Sequence, residues 1–242
     1  MNEAKDRLFV ALDVDHANQA LDLVSALSVC TRRFKIGSQL FTAAGPELVR
    51  RIVAMGAEVF LDLKFHDIPT TVGAAAAAAT RLGVYMFNLH ASGGREMIKR
   101  AAESASEVAA GLGQRRPLIL GVTVLTSTDA QTLRETGIAR PLDEQVVSMA
   151  NLSAECGLDG VVASAREARL VRSAINRAGF LIVTPGIRPA DGPADDQKRI
   201  MTPREAIKAG ADFIVVGRPI TAASNPVDAC RRVLGEIKSL SG

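Results

Sequence analysis

Two aspartates and a lysine fall at positions 62, 64 and 67 of the stretch Val59-Phe-Leu-Asp-Leu-Lys-Phe-His-Asp-Ile-Pro69. In a strand alternate residues share a face, so Asp62 and Lys64 are expected to point one way, with Leu61 and Leu63 pointing the other. Opposite charges on an apolar strand are costly to bury unless each has a partner. The pair therefore reads either as a structural ion pair or as an ammonium held by carboxylates for catalysis. Buried pairs occur without function, and the remainder of the chain must decide.

Short β-rich apolar runs alternate with amphipathic segments throughout. Strands are expected at 8–14, 34–37, 59–64, 84–90, 118–125, 160–164, 181–185 and 213–217. Helices are expected at 17–27, 39–54, 71–82, 95–111, 144–156, 166–178, 203–208 and 227–240. Gly56, Gly83, Gly179 and Gly210 supply stop signals after helices. Eight β-α repeats predict a parallel sheet closed into a single-domain (β/α)8 TIM barrel over residues 1–242. A doubly wound open sheet is the other architecture of this pattern, but the first turn, Asp13-Val-Asp-His-Ala, lacks the dinucleotide-binding glycines.

In such a barrel, polar residues at the C-terminal ends of strands are the candidates for a site. Asp13, Lys35, Asp62, Lys64, His90 and Thr123 fall there, and Arg188 and Arg218 follow strands seven and eight. Each has a bland reading: Asp13 or Asp15 could cap the first helix, Lys35 could reach solvent, and Asp67 could cap the helix entered through Pro69. Their recurrence at one rim favours a site. Thr184-Pro-Gly-Ile-Arg188 and Val216-Gly-Arg218 each place a glycine at a strand end before an arginine. Glycine admits close backbone approach and arginine is a forked, permanent cation, which together suit a phosphate. The long irregular loop 186–202 between strands seven and eight reads as a lid over that anion.

Composition narrows the function classes. The net charge of +3 is spread along the chain and gives no support for nucleic-acid binding. Cys30, Cys156 and Cys230 are far apart, and neither they nor His16, His66 and His90 have metal-ligand spacing. The N-terminus is polar and unlike a signal peptide. The apolar tract 72–79 is too short to span a bilayer. A soluble cytoplasmic protein without metal or cofactor is the expectation.

Asp62-x-Lys64-x-x-Asp67, with Ala11-Leu-Asp13, Lys35-Ile-Gly37, Val124-Leu-Thr-Ser127, Pro185-Gly-Ile-Arg-Pro189 and Val216-Gly-Arg-Pro-Ile220, closely resembles the bacterial-type orotidine 5′-phosphate decarboxylases, along essentially the whole chain. The Asp-x-Lys-x-x-Asp element is shared with Mg²⁺-dependent sister barrels, sugar-phosphate decarboxylases and hexulose-phosphate synthases. Those hold the metal partly through an acidic residue on strand two, where this chain has Lys35. Gln39 also departs from the acidic residue often found at its position.

The resemblance implies decarboxylation of orotidine 5′-monophosphate (OMP) to uridine 5′-monophosphate (UMP), the last step of de novo pyrimidine nucleotide synthesis, in a homodimer. It implies Lys64 as proton donor to C6, Asp62 beside the departing carboxylate, and Lys35 and Asp67 completing an alternating charge array. It further implies that Asp13 and Lys35 bind ribose hydroxyls and Thr126 the pyrimidine edge. Pro185, Arg188, Gln197, Gly217 and Arg218 would surround the phosphate, and Asp67, Ile68 and Thr71 would serve the partner's site. Loss of CO₂ from C6 leaves an in-plane carbanion that no adjacent π-system delocalises, so its stabilisation must come from preorganised charge. Carboxylates beside Lys64 favour its charged form. A barrel that only binds nucleotides, the remaining alternative, needs no such array. The small-residue stretch 74–79 suits either a dimer contact or packing on the barrel.

Overall fold

A computed structural model describes residues 4–189 and 201–238. Eight parallel strands close into a barrel in sequence order. They are β1 (Leu8–Ala11), β2 (Arg33–Gly37), β3 (Glu58–Phe65), β4 (Met86–His90), β5 (Leu118–Val122), β6 (Gly160–Val162), β7 (Leu181–Thr184) and β8 (Phe213–Val216). The helices are α1 (Ala17–Leu27), α2 (Ser38–Ala54), α3 (Pro69–Arg81), α4 (Gly94–Gly111), α5 (Ala130–Glu135), α6 (Leu142–Glu155), α7 (Ala168–Ala174), α8 (Pro203–Lys208), α9 (Arg218–Thr221) and α10 (Pro226–Lys238). The expected (β/α)8 TIM barrel is what forms, and the open sheet is excluded.

Alternation along each strand divides the apolar residues between two cores. Val10, Phe34, Ile36, Val59, Leu61, Phe87 and Leu89 face outward and pack under the helices. Phe9, Phe60, Met86, Leu120, Val183 and Phe213 face inward and fill the barrel. The interior aromatics meet edge to face, Phe9 on Phe60 at 5.8 Å and on Phe213 at 5.5 Å. Each such buried ring contributes about 1.5–3 kcal/mol. The strands approach so closely that a side chain at Gly160 would start 2.2 Å from the Leu181 carbonyl oxygen.

The structure departs from the expected elements in readable ways. Strands β1 and β5 stop at Ala11 and Val122, short of residues 14 and 125, so Asp13 stands on the loop after β1. Helix α7 ends at Ala174 rather than 178. Two short helices, α5 and α9, occupy segments where no helix was expected. The first is capped by the Asp129 carboxylate, which accepts from Thr132 N–H at 3.0 Å, and the second begins Arg-Pro, with proline suited to a first turn. Neither Asp13 nor Asp15 caps α1, whose N-cap is His16, and Asp15 instead accepts from Gln39 at 2.6 Å. Helix α3 does start at Pro69, but its N-cap is Ile68 and Asp67 accepts from the adjacent Ile68 N–H, at 2.6 Å.

Ala76, Ala77 and Ala79 of α3 are buried. A side chain at Gly73 would start 2.9 Å from Arg100 Cγ and 3.0 Å from Ser104 Oγ, both on α4. Within one chain, the small residues of α3 therefore serve close packing on α4. The exposed positions Ile68, Thr71, Ala74 and Ala78 form a separate stripe on its other side. No helix among the described residues is long and apolar enough to cross a membrane. Cys30, Cys156 and Cys230 are buried and free.

Candidate active site

The C-terminal mouth of the barrel holds a cavity of about 480 Å³, within the range of small-molecule sites. Four charges alternate along its floor. Lys35 Nζ lies 3.0 Å from Asp13 Oδ1 and 3.3 Å from Asp62 Oδ2, and Lys64 Nζ lies 2.7 Å from Asp62 Oδ1. The order is Asp13, Lys35, Asp62, Lys64. The two ammonium groups differ in access: the Lys35 side chain is 11% exposed and that of Lys64 is 33% exposed. Lys35 is enclosed by its partners, and Lys64 presents its end to the cavity.

Burial acts on the two inner members and is overruled. It pulls the Lys35 ammonium down, but Asp62 and Asp13 more than compensate and hold its pKa above the ordinary lysine value. Burial pushes Asp62 up, yet Lys35, Lys64 and the hydrogen bonds from Lys64 and Asn88 keep its carboxyl below the ordinary range. Both groups are therefore charged at neutral pH.

The local backbone is not the regular strand that alternation implies. Lys64 has φ 51°, the only non-glycine positive φ among the described residues, and the β3/β4 register shifts between Leu61 and Phe65. A left-handed lysine is uncommon and costs of the order of 1 kcal/mol. Asp62 and Lys64 do meet, but through this break in the strand. Asn88, wholly buried on the inward face of β4, accepts from Lys64 N–H at 2.8 Å and donates to Asp62 Oδ1 at 2.7 Å. It was missed in the sequence. The available signal was the polar pair Asn88 and His90 on one face of an apolar strand, the same signature as Asp62 and Lys64.

The anion half lies across the cavity. Pro185, Gly186, Arg188, Gly217 and Arg218 line it, as does Thr126 on the loop after β5. Gly186 has φ 77°, which favours glycine. A side chain at Gly217 would crowd Asp13 Oδ2 at 3.2 Å and Ala11 Cβ at 3.3 Å. Arg188 N–H donates to the Met201 carbonyl at 3.1 Å, so the described ends of the 186–202 loop are pinned together. Gln197 and the expected lid lie outside the described residues.

Not every candidate joins this cavity. Thr123 is buried, and its hydroxyl donates to the Val162 carbonyl at 3.1 Å, so it serves the barrel wall. Lys35 does line it, but from the middle of β2 and not from its end. His90 packs against His66 with ring centroids 5.3 Å apart. Burial, then His66 and Lys64, lower its pKa, with Asp62 opposing. Asp67, Ile68 and Thr71 are exposed around the start of α3 and do not line the cavity of their own chain.

The family model described as orotidine 5′-phosphate decarboxylase / HUMPS matches residues 6–233. This chain belongs to that family. Among its relatives, the orotidine 5′-phosphate decarboxylase of Syntrophotalea carbinolica is 54% identical over 97% of this chain and 96% of the relative. That of Moorella thermoacetica is 52% identical over 97% of this chain and 93% of its own. The crystal structure of orotidine 5′-phosphate decarboxylase from Lactobacillus acidophilus superposes with TM-score 0.84 at 38% identity, covering 96% of this chain and 99% of that one. The family barrel and the charged mouth thus coincide in one molecule.

Proposed function

We propose that this chain decarboxylates OMP to UMP without a metal or organic cofactor, as the last step of pyrimidine nucleotide synthesis. The observation that carries the reading is the alternating Asp13–Lys35–Asp62–Lys64 array, ending in an ammonium that reaches the cavity. The phosphate of the nucleotide binds between Arg188, Arg218 and the backbone at Gly217, with Pro185 beside it. The ribose hydroxyls meet Asp13 and Lys35, and Thr126 meets the pyrimidine edge.

This placement puts the C6 carboxylate against Asp62. The C6–carboxyl bond breaks, CO₂ leaves, and the electron pair stays on C6. The Lys64 ammonium stabilises that charge and delivers its proton to C6, and the resulting amine regains a proton from solvent. Repulsion between Asp62 and the substrate carboxylate raises the ground state, and binding energy from the distant phosphate offsets it.

Asp67, Ile68 and Thr71 fit a homodimer in which each chain completes its partner's cavity. Their exposure at the mouth side of α3 supports this, since Ile68 is a large apolar residue left 63% exposed. Buried free thiols suit a reducing, cytoplasmic setting.

The sister reading, Mg²⁺-dependent sugar-phosphate chemistry, requires a divalent ion beside the strand-two residue. Here the Lys35 ammonium stands between Asp13 and Asp62, where a cation would have to displace it. Mixing the enzyme with OMP in EDTA should remove the orotate absorbance at full rate. No turnover, or turnover only after Mg²⁺ is added, would overturn the proposal. Mixing inactive Lys64→Ala and Asp67→Ala chains should restore about a quarter of the sites by random pairing. No recovery despite demonstrated subunit exchange would remove the shared site.

A further inference from the structure

We infer that Asn88 is a positioning residue for the reaction, one amide that sets both the backbone of Lys64 and the carboxylate of Asp62; this rests on Lys64 being the proton donor. Asn88 is wholly buried on the inward face of β4, and its two amide atoms are used on two different partners. The carbonyl accepts from Lys64 N–H at 2.8 Å, and the NH₂ donates to Asp62 Oδ1 at 2.7 Å.

The geometry gives this clamp a purpose that packing does not. Lys64 is the one non-glycine residue in the left-handed region among the described residues, a conformation a lysine does not adopt unaided. Its N–H leaves the ladder where the β3/β4 register shifts, and there Asn88 Oδ1 replaces the missing strand carbonyl. Asp62 Oδ1 then receives two donors at the same 2.7 Å, the Lys64 ammonium and the Asn88 amide. The amide fixes the carboxylate from one side, and the carboxylate fixes the ammonium. Main chain and side chain of Lys64 are thus both referred to Asn88, and the position of the ammionium nitrogen over the cavity follows from it. Asn88 touches no reacting atom. It acts through Lys64 and Asp62.

The chemistry of the amide is specific. Position 88 must present one acceptor and one donor in a fixed plane. Aspartate keeps the shape and the acceptor but, when ionised, sets a second negative charge against Asp62. Protonated, the same carboxyl regains a donor, and two carboxyls in contact share a proton readily. The new group would face Asp62 and Lys64 of β3, with Lys35 of β2 and His90 of β4 acting on the same Asp62.

The test is steady-state OMP turnover and UMP binding by the full-length enzyme and two variants. Asn88→Ala should lose about 100-fold in kcat, the cost of a misplaced catalytic group, and keep UMP affinity within about threefold. For Asn88→Asp, the ratio of its kcat to that of the unaltered enzyme should rise at least about tenfold as pH falls from about 8 to about 6. A merely structural role predicts a flat ratio. The inference is overturned if Asn88→Ala keeps kcat within about threefold, or if its UMP affinity falls in parallel with kcat. Should Asn88→Ala not fold, the pH ratio of the isosteric Asn88→Asp decides, and failure of both to fold makes the residue structural and sinks the inference. Absence of turnover by the unaltered enzyme would instead overturn the proposed function, a distinguishable result.

Discussion

The two ends of the barrel interior each bury a cation, and both cations come from β2. Arg33 and Lys35 lie two residues apart, share the inward face, and stand about 7 Å apart along the strand. At the N-terminal end, Arg33 pairs with Glu58 at 2.6 Å and stacks its guanidinium 5.2 Å from the Tyr85 and Phe213 ring centres. Aromatic rings and one carboxylate surround it, and its side chain is 5% exposed. At the mouth, Lys35 has two carboxylates, one of which also binds a second, more exposed lysine. The same need to partner a buried charge thus yields a plug below and a site above. What distinguishes them is access: the second cation at the mouth, Lys64, is held by Asp62 at the wall of an open cavity, whereas Arg33 meets only rings and Glu58.

That contrast can be broken by exchanging damage between the ends. Lys64→Ala should lower kcat for OMP by at least about 10⁴-fold, since it removes the proposed proton donor and charge stabiliser. Its thermal midpoint should change by only a few degrees, because Lys64 is the more exposed of the two lysines in the array. Arg33→Met should do the reverse. It should cost about 2 kcal/mol in denaturant unfolding, from the lost ion pair and ring contacts, with kcat within about threefold of the unaltered enzyme. Equal effects of the two substitutions on both measurements would erase the distinction between the ends.

Titration sharpens it further. Asp62 has a lowered pKa, so its contribution to stability is present above the ordinary 3.8 and is lost as pH falls through the lower folded value. Lys35 has a raised pKa, so its contribution is full below the ordinary 10.5 and is lost as pH rises through the higher folded value. His90, with a lowered pKa, adds an earlier loss as pH drops below 6.5. Denaturant midpoints should therefore decline at both extremes, and Asp62→Asn should remove most of the steep acid limb. An unchanged limb would assign the acid loss to carboxylates elsewhere. The smallest effect belongs to Thr123, polar and near the mouth but bonded to the wall. Thr123→Val should cost about 1 kcal/mol of stability and leave kcat within about threefold.

The fold was legible because eight apolar runs separated by amphipathic segments leave few other topologies. Asp62, Lys64 and Lys35 were legible by their recurrence at one rim, since a single inward charge such as Arg33 can serve structure alone. Asn88 was not, because an amide is an ordinary strand polar residue until its partners are known. Nor was the left-handed backbone at Lys64, which local sequence disfavours and the Asn88 contact supports. Short helices α5 and α9 escaped because six and four residues carry too little periodicity to register. Asp67 is legible as a motif residue, yet in one chain it reaches no member of the array, and the role proposed for it needs a second chain.

The central claim, that the mouth stabilises a C6 carbanion through Lys64, is tested most directly by running the last step backwards. An enzyme that protonates C6 must also exchange the C6 hydrogen of UMP with solvent. In D₂O, followed by proton NMR, the unaltered enzyme and Arg33→Met should wash out that hydrogen at similar rates, and Lys64→Ala should not exceed the uncatalysed rate. Undiminished exchange in Lys64→Ala, or its loss in Arg33→Met, would contradict the account.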